Sequence, residues 1–142
     1  MKVENRVFPN REQMKGFFEN TDDNEPIYML NLLKFKDKAE YQDGRKTSLT
    51  GYEAYKLYAE VMKKHLDEIG GEAIFTAKIT RITVGKVEEL WDAVLIAKWP
   101  SKKIMRENMM PSDPELLEAY RHREAGLAGQ LNIESVEGIF DD

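Results

Sequence analysis

Asn31 stands in the middle of "IYMLNLLKFKD", a stretch that is apolar or aromatic until its lysines begin. An amide in such surroundings has two roles open to it. It lies buried with neighbouring backbone as its partner, or it faces a cavity and orients the carbonyl or phenol of a bound molecule. Tyr55 and Tyr58 join it as candidates, since a phenol turned inward beside that amide donates a hydrogen bond or a proton to a bound oxygen. A tyrosine stripe at helical spacing also suits core or dimer packing with its hydroxyls at the rim. Trp91 and Trp99 would wall an apolar pocket around Asn31 and the tyrosines.

Only two histidines are present. His65 lies near the end of a helix, where an imidazolium is mildly favoured and no chemistry is needed to explain it. His122 sits in "YRHREAG", flanked by Arg121 and Arg123. Consecutive helix positions point in different directions, so these three do not share one pocket, whereas Tyr120 and Arg123 share a face. Arg123 offers a planar fork for a substrate carboxylate; an ion pair with Glu118 or Glu124 in solvent is the other reading. The candidate catalytic residues are therefore Asn31, Tyr55, Tyr58 and His122, and the candidate substrate-binding residues Trp91, Trp99 and Arg123. No second histidine stands at ligand spacing, so no metal is expected. No glycine-rich fingerprint follows a strand, so no nucleotide cofactor is expected either.

The bulk properties narrow the classes. A chain of 142 residues suits one domain with its own core. With 42% hydrophobic and 33% charged residues it reads as globular. A net charge of −5, with Lys and Arg scattered rather than blocked, argues against nucleic acid as partner. Cysteine is absent, which removes disulfides and thiolate chemistry. No segment approaches the roughly 18 apolar residues of a membrane helix, and the first residues lack a signal-peptide core. The expectation is a cytoplasmic protein with no membrane partner.

Periodicity supplies the elements. "NREQMKGFFEN" (10–20) reads as a short helix capped by Asn10. Ile27 to Phe35 reads as a strand, and the polar segment 37–51 as a loop long enough to cover a site. Tyr55, Tyr58, Met62, Leu66 and Ile69 recur at helical spacing, predicting an amphipathic helix from Tyr52 to Ile69 closed by Gly70 and Gly71. Strands are expected over Ala73 to Val84 and Leu90 to Trp99, joined as a hairpin through "GKVEE". A short helix follows Pro100. Ser112 or Asp113 caps a further helix, "PELLEAYRHREAG", and Leu131 to Val136 reads as the last strand. Strand, helix, strand, strand, helix, strand is the ferredoxin-like order.

Face parity adds a partner. Ile27, Met29, Asn31, Leu33 and Phe35 lie on one side of the first strand, with Tyr28, Leu30 and Leu32 on the other. Trp91, Ala93, Leu95, Ala97 and Trp99 oppose Leu90, Val94 and Ile96 in the same way. Both faces are apolar, whereas an antiparallel sheet with helices on one side alternates apolar with polar. A second apolar face of several hundred Å² is more than monomers keep in water. A second copy related by a two-fold axis is the expected cover.

"YMLNLLKFKD", "YEAYKLYAEVMKKHLDEIGGE", "LWDAVLIAKWPS" and "PELLEAYRHREAGLAGQ" together resemble the DUF1330 family of the dimeric α/β-barrel superfamily. The likeness covers about residues 26–138, with 1–25 as an N-terminal helical extension and a longer 37–51 loop as departures. The resemblance implies an α+β, ferredoxin-like βαββαβ protomer with a four-stranded antiparallel sheet, dimerising through that sheet. It implies no reaction. Superfamily relatives include cofactor-independent monooxygenases, lactone isomerases and haem enzymes, and haem through His65 or His122 would rest on that analogy alone. The expectation from the residues is a homodimer binding a small aromatic or carbonyl compound, with cofactor-independent oxygenation or isomerisation, Asn31 orienting the ligand and Tyr55, Tyr58 or His122 handling protons. The other expectation is a non-catalytic binding or scaffold protein whose pocket is filled by its own side chains.

Overall fold

Thr50 and Glu53 close a capping box: the Thr50 hydroxyl accepts from the Glu53 N–H, and the Glu53 carboxylate accepts from the Thr50 N–H. The two bonds satisfy orphan donors at the first turn, and the helix they start is the longest in the chain. A computed structural model describes residues 2–19, 24–109 and 113–140. Its elements run α1 (Arg11–Glu19), β1 (Ile27–Phe35), α2 (Gly51–Glu68), β2 (Glu72–Lys78), β3 (Ala93–Trp99), α3 (Lys102–Glu107), α4 (Pro114–Gly126) and β4 (Leu127–Ser135). Asn10 caps α1 through the Gln13 N–H, Ser101 caps α3 through the Ile104 N–H, and Asp113 caps α4 through the Leu116 N–H. Ser112, the alternative cap for α4, lies outside the described residues.

The four strands form one antiparallel sheet in the order β2-β3-β1-β4. This is the expected α+β, ferredoxin-like arrangement: β1 and β3 are central, and each helical crossover steps over one strand. Register fixes the faces. Ile27, Met29, Asn31 and Leu33 lie opposite Trp99, Ala97, Leu95 and Ala93, on the side where Leu66 of α2 and Met105 of α3 complete a core with Ile27, Met29 and Trp99. The other parity leaves a second apolar surface of Leu30, Leu32, Val94, Ile96, Leu131, Ile133 and Phe75. Among the described residues no helix covers that side: Ile133 is 43% and Phe75 53% exposed, and Leu30, Leu32, Val94 and Ile96 are half-buried.

Strands β2, β3 and β4 differ from the sequence expectation at their boundaries, β3 starting at Ala93 rather than Leu90. β2 stops at Lys78 rather than Val84, because its partner begins only at Ala93; the Ile79 N–H closes the ladder on the Asp92 carbonyl, and Val84 in the loop beyond is fully in solvent. β-branched residues make a strand only where a neighbour accepts the ladder. β4 starts at Leu127, four positions before Leu131, since "LAGQ" pairs with Phe35, Lys34 and Leu33 of β1.

α4 runs straight into β4, and its end lies against the start of α2. A Cβ on Gly126 would stand 2.3 Å from the Gly51 carbonyl oxygen, and one on Gly51 would stand 2.0 Å from that of Lys36. We expect Gly126→Ala to cost about 3 kcal/mol or more, the upper part of the overpacking range, because the obstructing atoms are backbone. Gly16→Ala, in α1 with open space around it, should be neutral or stabilising by up to about 1 kcal/mol. Urea midpoints for the two variants at unchanged m check the contrast.

Candidate functional site

β1 carries Asn31 onto the helix-covered side of the sheet, and there its amide has every partner it can use. Nδ2 donates to the carbonyls of Met29 and Leu95, both at 3.2 Å. Oδ1 accepts from Gln130 Nε2 at 3.1 Å and from Asn132 Nδ2. The residue is 8% exposed. Two donors and two lone pairs are the full inventory of a carboxamide, so Asn31 is a saturated bridge between β3, β1 and β4 and has no valence left for a ligand.

The structure does gather Tyr55, Tyr58 and Arg123 near this bridge. Tyr55 packs with Leu33 and Leu127, against a rim that includes Leu95, the β3 partner of Asn31. Ring centroids step from Tyr55 to Tyr58 at 5.2 Å and from Tyr58 to Tyr120 on α4 at 5.6 Å. Burial pushes all three phenols above their ordinary pKa, with the Arg123 guanidinium opposing. Neutral at physiological pH, these groups can donate hydrogen bonds but supply no phenolate base.

Arg123 Nη2 donates to Gln130 Oε1 at 2.6 Å and to the Val7 carbonyl at 2.8 Å. Neither Glu118 nor Glu124 takes it. The fork thus ties α4 to β4 and to the segment preceding α1, where Arg6 and Gln130 exchange both backbone hydrogen bonds. Trp91 serves the same segment. It lies just outside β3 rather than within it, and its indole N–H donates to Asn5 Oδ1 at 2.7 Å. Trp99 belongs to the other core cluster, with Ile27, Met29 and Leu66. Four residue pairs separate it from Asn31 along the ladder, roughly 13 Å at a strand's rise. The tryptophans therefore do not wall a pocket around Asn31.

His122 also leaves that group. It points to the 37–50 segment, where its Nδ1 lies 2.6 Å from Tyr41 Oη. Glu118 Oε1 is 3.9 Å from His122 Nε2 and accepts from Arg45 at 2.6 Å; the Arg45 guanidinium stacks 4.6 Å over the Tyr41 ring and also holds Asp43. Burial holds the imidazole below its usual pKa, Glu118 works against that shift and Arg45 adds to it. With the neutral ring's proton on Nε2, toward Glu118, Nδ1 accepts from the phenol. Tyr41 itself is raised by burial, with Arg45 opposing. Sequence reading passed over Tyr41 because it sits in a polar stretch with no period; its signal was one aromatic among charges.

Two surface hollows stand out among the described residues, and neither touches Asn31. One of about 320 Å³ is lined by Glu25, Pro26, Tyr28, Val136 and Glu137. The other, about 240 Å³, is lined by Tyr41, Gln42, Asp43, Arg121 and Glu124. Among the described residues no three His, Asp or Glu side chains are grouped to hold a metal ion, and no helix is long and apolar enough to cross a membrane.

Two outcomes test this geometry. Asn31→Leu strands the groups that bond to the amide and should cost about 2–4 kcal/mol by chemical unfolding. The depressed His122 pKa means the folded chain binds this proton less readily than the unfolded one. Stability from this group is then complete above the free imidazole's pKa and falls as pH drops through the lower, folded value. His122→Gln should remove that part of the pH dependence, read as the difference in unfolding midpoint between neutral and mildly acidic buffer.

No protein-family model matches the chain, and no curated protein does. Solved structures do. The crystal structure of methylated RPA0582 protein aligns with a TM-score of 0.81 and 30% identity, over 99% of this chain and 100% of that one. A crystal structure of the RPA0582 protein from Rhodopseudomonas palustris, described as of unknown function, aligns with a TM-score of 0.77 and 29% identity, over 93% and 96% of the two chains. With that identity carried along its whole length, the chain belongs to the family of the RPA0582 protein.

Proposed function

We propose that this protein is a homodimeric binding or scaffold protein of the dimeric α/β-barrel type, with no catalysis at Asn31. The observation that carries this reading is the contrast between the two sides of the sheet. The helix-covered side is closed, its central amide saturated and its phenols neutral. The other side presents Leu30, Leu32, Val94, Ile96, Leu131, Ile133 and Phe75 with no described helix over them. Apolar surface of that extent favours burial at about 25 cal/mol per Å², and a two-fold axis covers both copies with one self-complementary patch. The resemblance to DUF1330 proteins in "YMLNLLKFKD" and "LWDAVLIAKWPS" is consistent with the same assembly.

A second reading, small-molecule binding with proton transfer, is favoured by one geometry only. The Tyr41–His122 hydrogen bond stands beside the 240 Å³ hollow that Tyr41 lines. A neutral imidazole hydrogen-bonded to a phenol can pass a proton to or from a bound oxygen, and in this reading Tyr41 and His122 handle protons in place of Asn31, Tyr55 or Tyr58.

Light scattering after gel filtration tests the dimer. The wild type should elute with the mass of two chains at micromolar concentration. Ile96→Glu places a carboxylate in the middle of the apolar face and should weaken association by about a hundredfold or more, giving the mass of one chain with an unchanged far-UV CD spectrum. A wild type that elutes as a single chain would falsify the proposal.

A further inference from the structure

β4 ends at Ser135, opposite Tyr28 at the start of β1. The chain then leaves the sheet as "VEGIF". Gly138 takes a φ of +105°, a backbone state favouring glycine, and the turn carries the next two residues away from the protomer. Ile139 is 82% and Phe140 90% exposed, among the most solvent-accessible large apolar side chains described. A single exposed apolar residue needs no explanation. Here an adjacent pair follows a strand whose own outward side chains, Leu131 and Ile133, belong to the uncovered face of the sheet.

Beside the root of this segment lies the hollow of about 320 Å³ lined by Glu25, Pro26, Tyr28, Val136 and Glu137. A cavity of about 150 Å³ takes up a benzene ring, so this one has room for a phenyl side chain. Phe140 of the same chain does not use it: Val136 and Glu137 form its wall, and the turn at Gly138 leaves the ring in solvent. The size of the apolar face adds a second argument. Four strands spaced by about 4.8 Å, with about seven paired positions at roughly 3.3 Å, give a footprint of roughly 450 Å². A stable interface takes about 800 Å² of accessible surface from each partner. On this face only Ile133 and Phe75 are more than half-exposed or nearly so, while Leu30, Leu32, Val94 and Ile96 are already half-buried, so adjoining apolar surface adds to what the sheet itself can bury.

We infer that residues 136–140 of each subunit close over the other subunit in the dimer, Phe140 entering the hollow beside the partner's Tyr28 and Ile139 extending the buried face. This rests on the dimer proposed above and specifies how its edge is sealed. The occupant is a second copy of this chain. The hollow, the exposed pair and the apolar face meet at one corner of the sheet, and a two-fold axis running past that corner presents the pair of each copy to the hollow of the other.

The chain has no cysteine, which makes the contact directly readable. Glu25→Cys and Phe140→Cys are made as separate variants and mixed under mild oxidation. A covalent dimer should form in the mixture and in neither variant alone. Independently, the double variant Ile139→Ser, Phe140→Ser should raise the dimer dissociation constant tenfold or more in dilution sedimentation, with an unchanged CD spectrum. If the wild type is a single chain, the dimer proposal fails and this inference with it. If the wild type is a dimer, the serine variant dissociates within twofold of it and no cross-link forms, the dimer stands and this inference is overturned. An intrachain bond in the Glu25→Cys, Phe140→Cys double variant would place the segment on its own hollow and overturn it as well.

Discussion

The end of β1, the start of α2 and the end of α4 converge on a backbone contact that tolerates no side chain. The Lys36 N–H donates to the Gly126 carbonyl at 2.8 Å, and the Gly51 N–H donates to the Lys36 carbonyl at 3.0 Å. Ordinary helix pairs stand 8–10 Å apart because side chains separate their axes; here Gly51 and Gly126 let main chain meet main chain. Once these three ends are locked, α2 and α4 must lie on the same face of the sheet, and β4, which leaves α4 without a loop, must enter beside β1. The 37–50 segment is placed by the same contact. The Glu40 N–H donates to the Ala125 carbonyl, and Ala39 and Tyr41 bury against Ala54 and Ala125, residues small enough to let the segment settle.

α4 then divides the polar chemistry between two sides. Successive residues of a helix diverge by about 100°, so His122 turns to Tyr41 in the 37–50 segment while Arg123 turns to Gln130 and the N-terminal arm. The division explains why Asn31 ends as a structural amide. Its lone pairs are taken by Gln130 and Asn132 of β4, and Arg123 in turn orients Gln130. A buried carboxamide with one unmet valence would be costly; with all four met it pins the registers of β3 and β4 against β1.

Much of the fold was legible because it is periodic. The limits of β1 and α4, the caps Asn10 and Asp113, and the helix between Tyr52 and Ile69 all follow from local patterns that the tertiary structure leaves intact. The doubled apolar parity of β1 and β3 was legible for the same reason, and it marks the sheet's uncovered side. Strand ends were not, since "TRITV" has the composition of a strand but lies beyond the last rung of the ladder at Ile79, and "LAGQ" has the composition of a loop yet pairs. The site was read less well. Residue type indicated that Asn31, Arg123 and Trp91 needed partners, but the partners came from positions 99, 116 and 86 residues away in sequence. The arm that supplies Val7 and Asn5 has no period at all.

Energetic weight separates the two sides of the sheet more sharply than chemistry does. A typical hydrogen bond adds about 1 kcal/mol net, so the four at Asn31 specify register more than they stabilise the fold. The uncovered face keeps Ile133 and Phe75 largely in solvent and Leu30, Leu32, Val94 and Ile96 half-buried, and each Å² of apolar surface covered there adds about 25 cal/mol. Interior side chains there are packed, charges such as Arg45 and Lys34 are paired, and the phenols are held neutral. The strongest driving force left in the protomer is therefore directed outward, at a flat, twisted surface whose shape another copy of itself can match. The described protomer carries its polar order on the helix-covered side and keeps uncovered apolar surface on the other, which is why the proposed association outranks a reaction at Asn31.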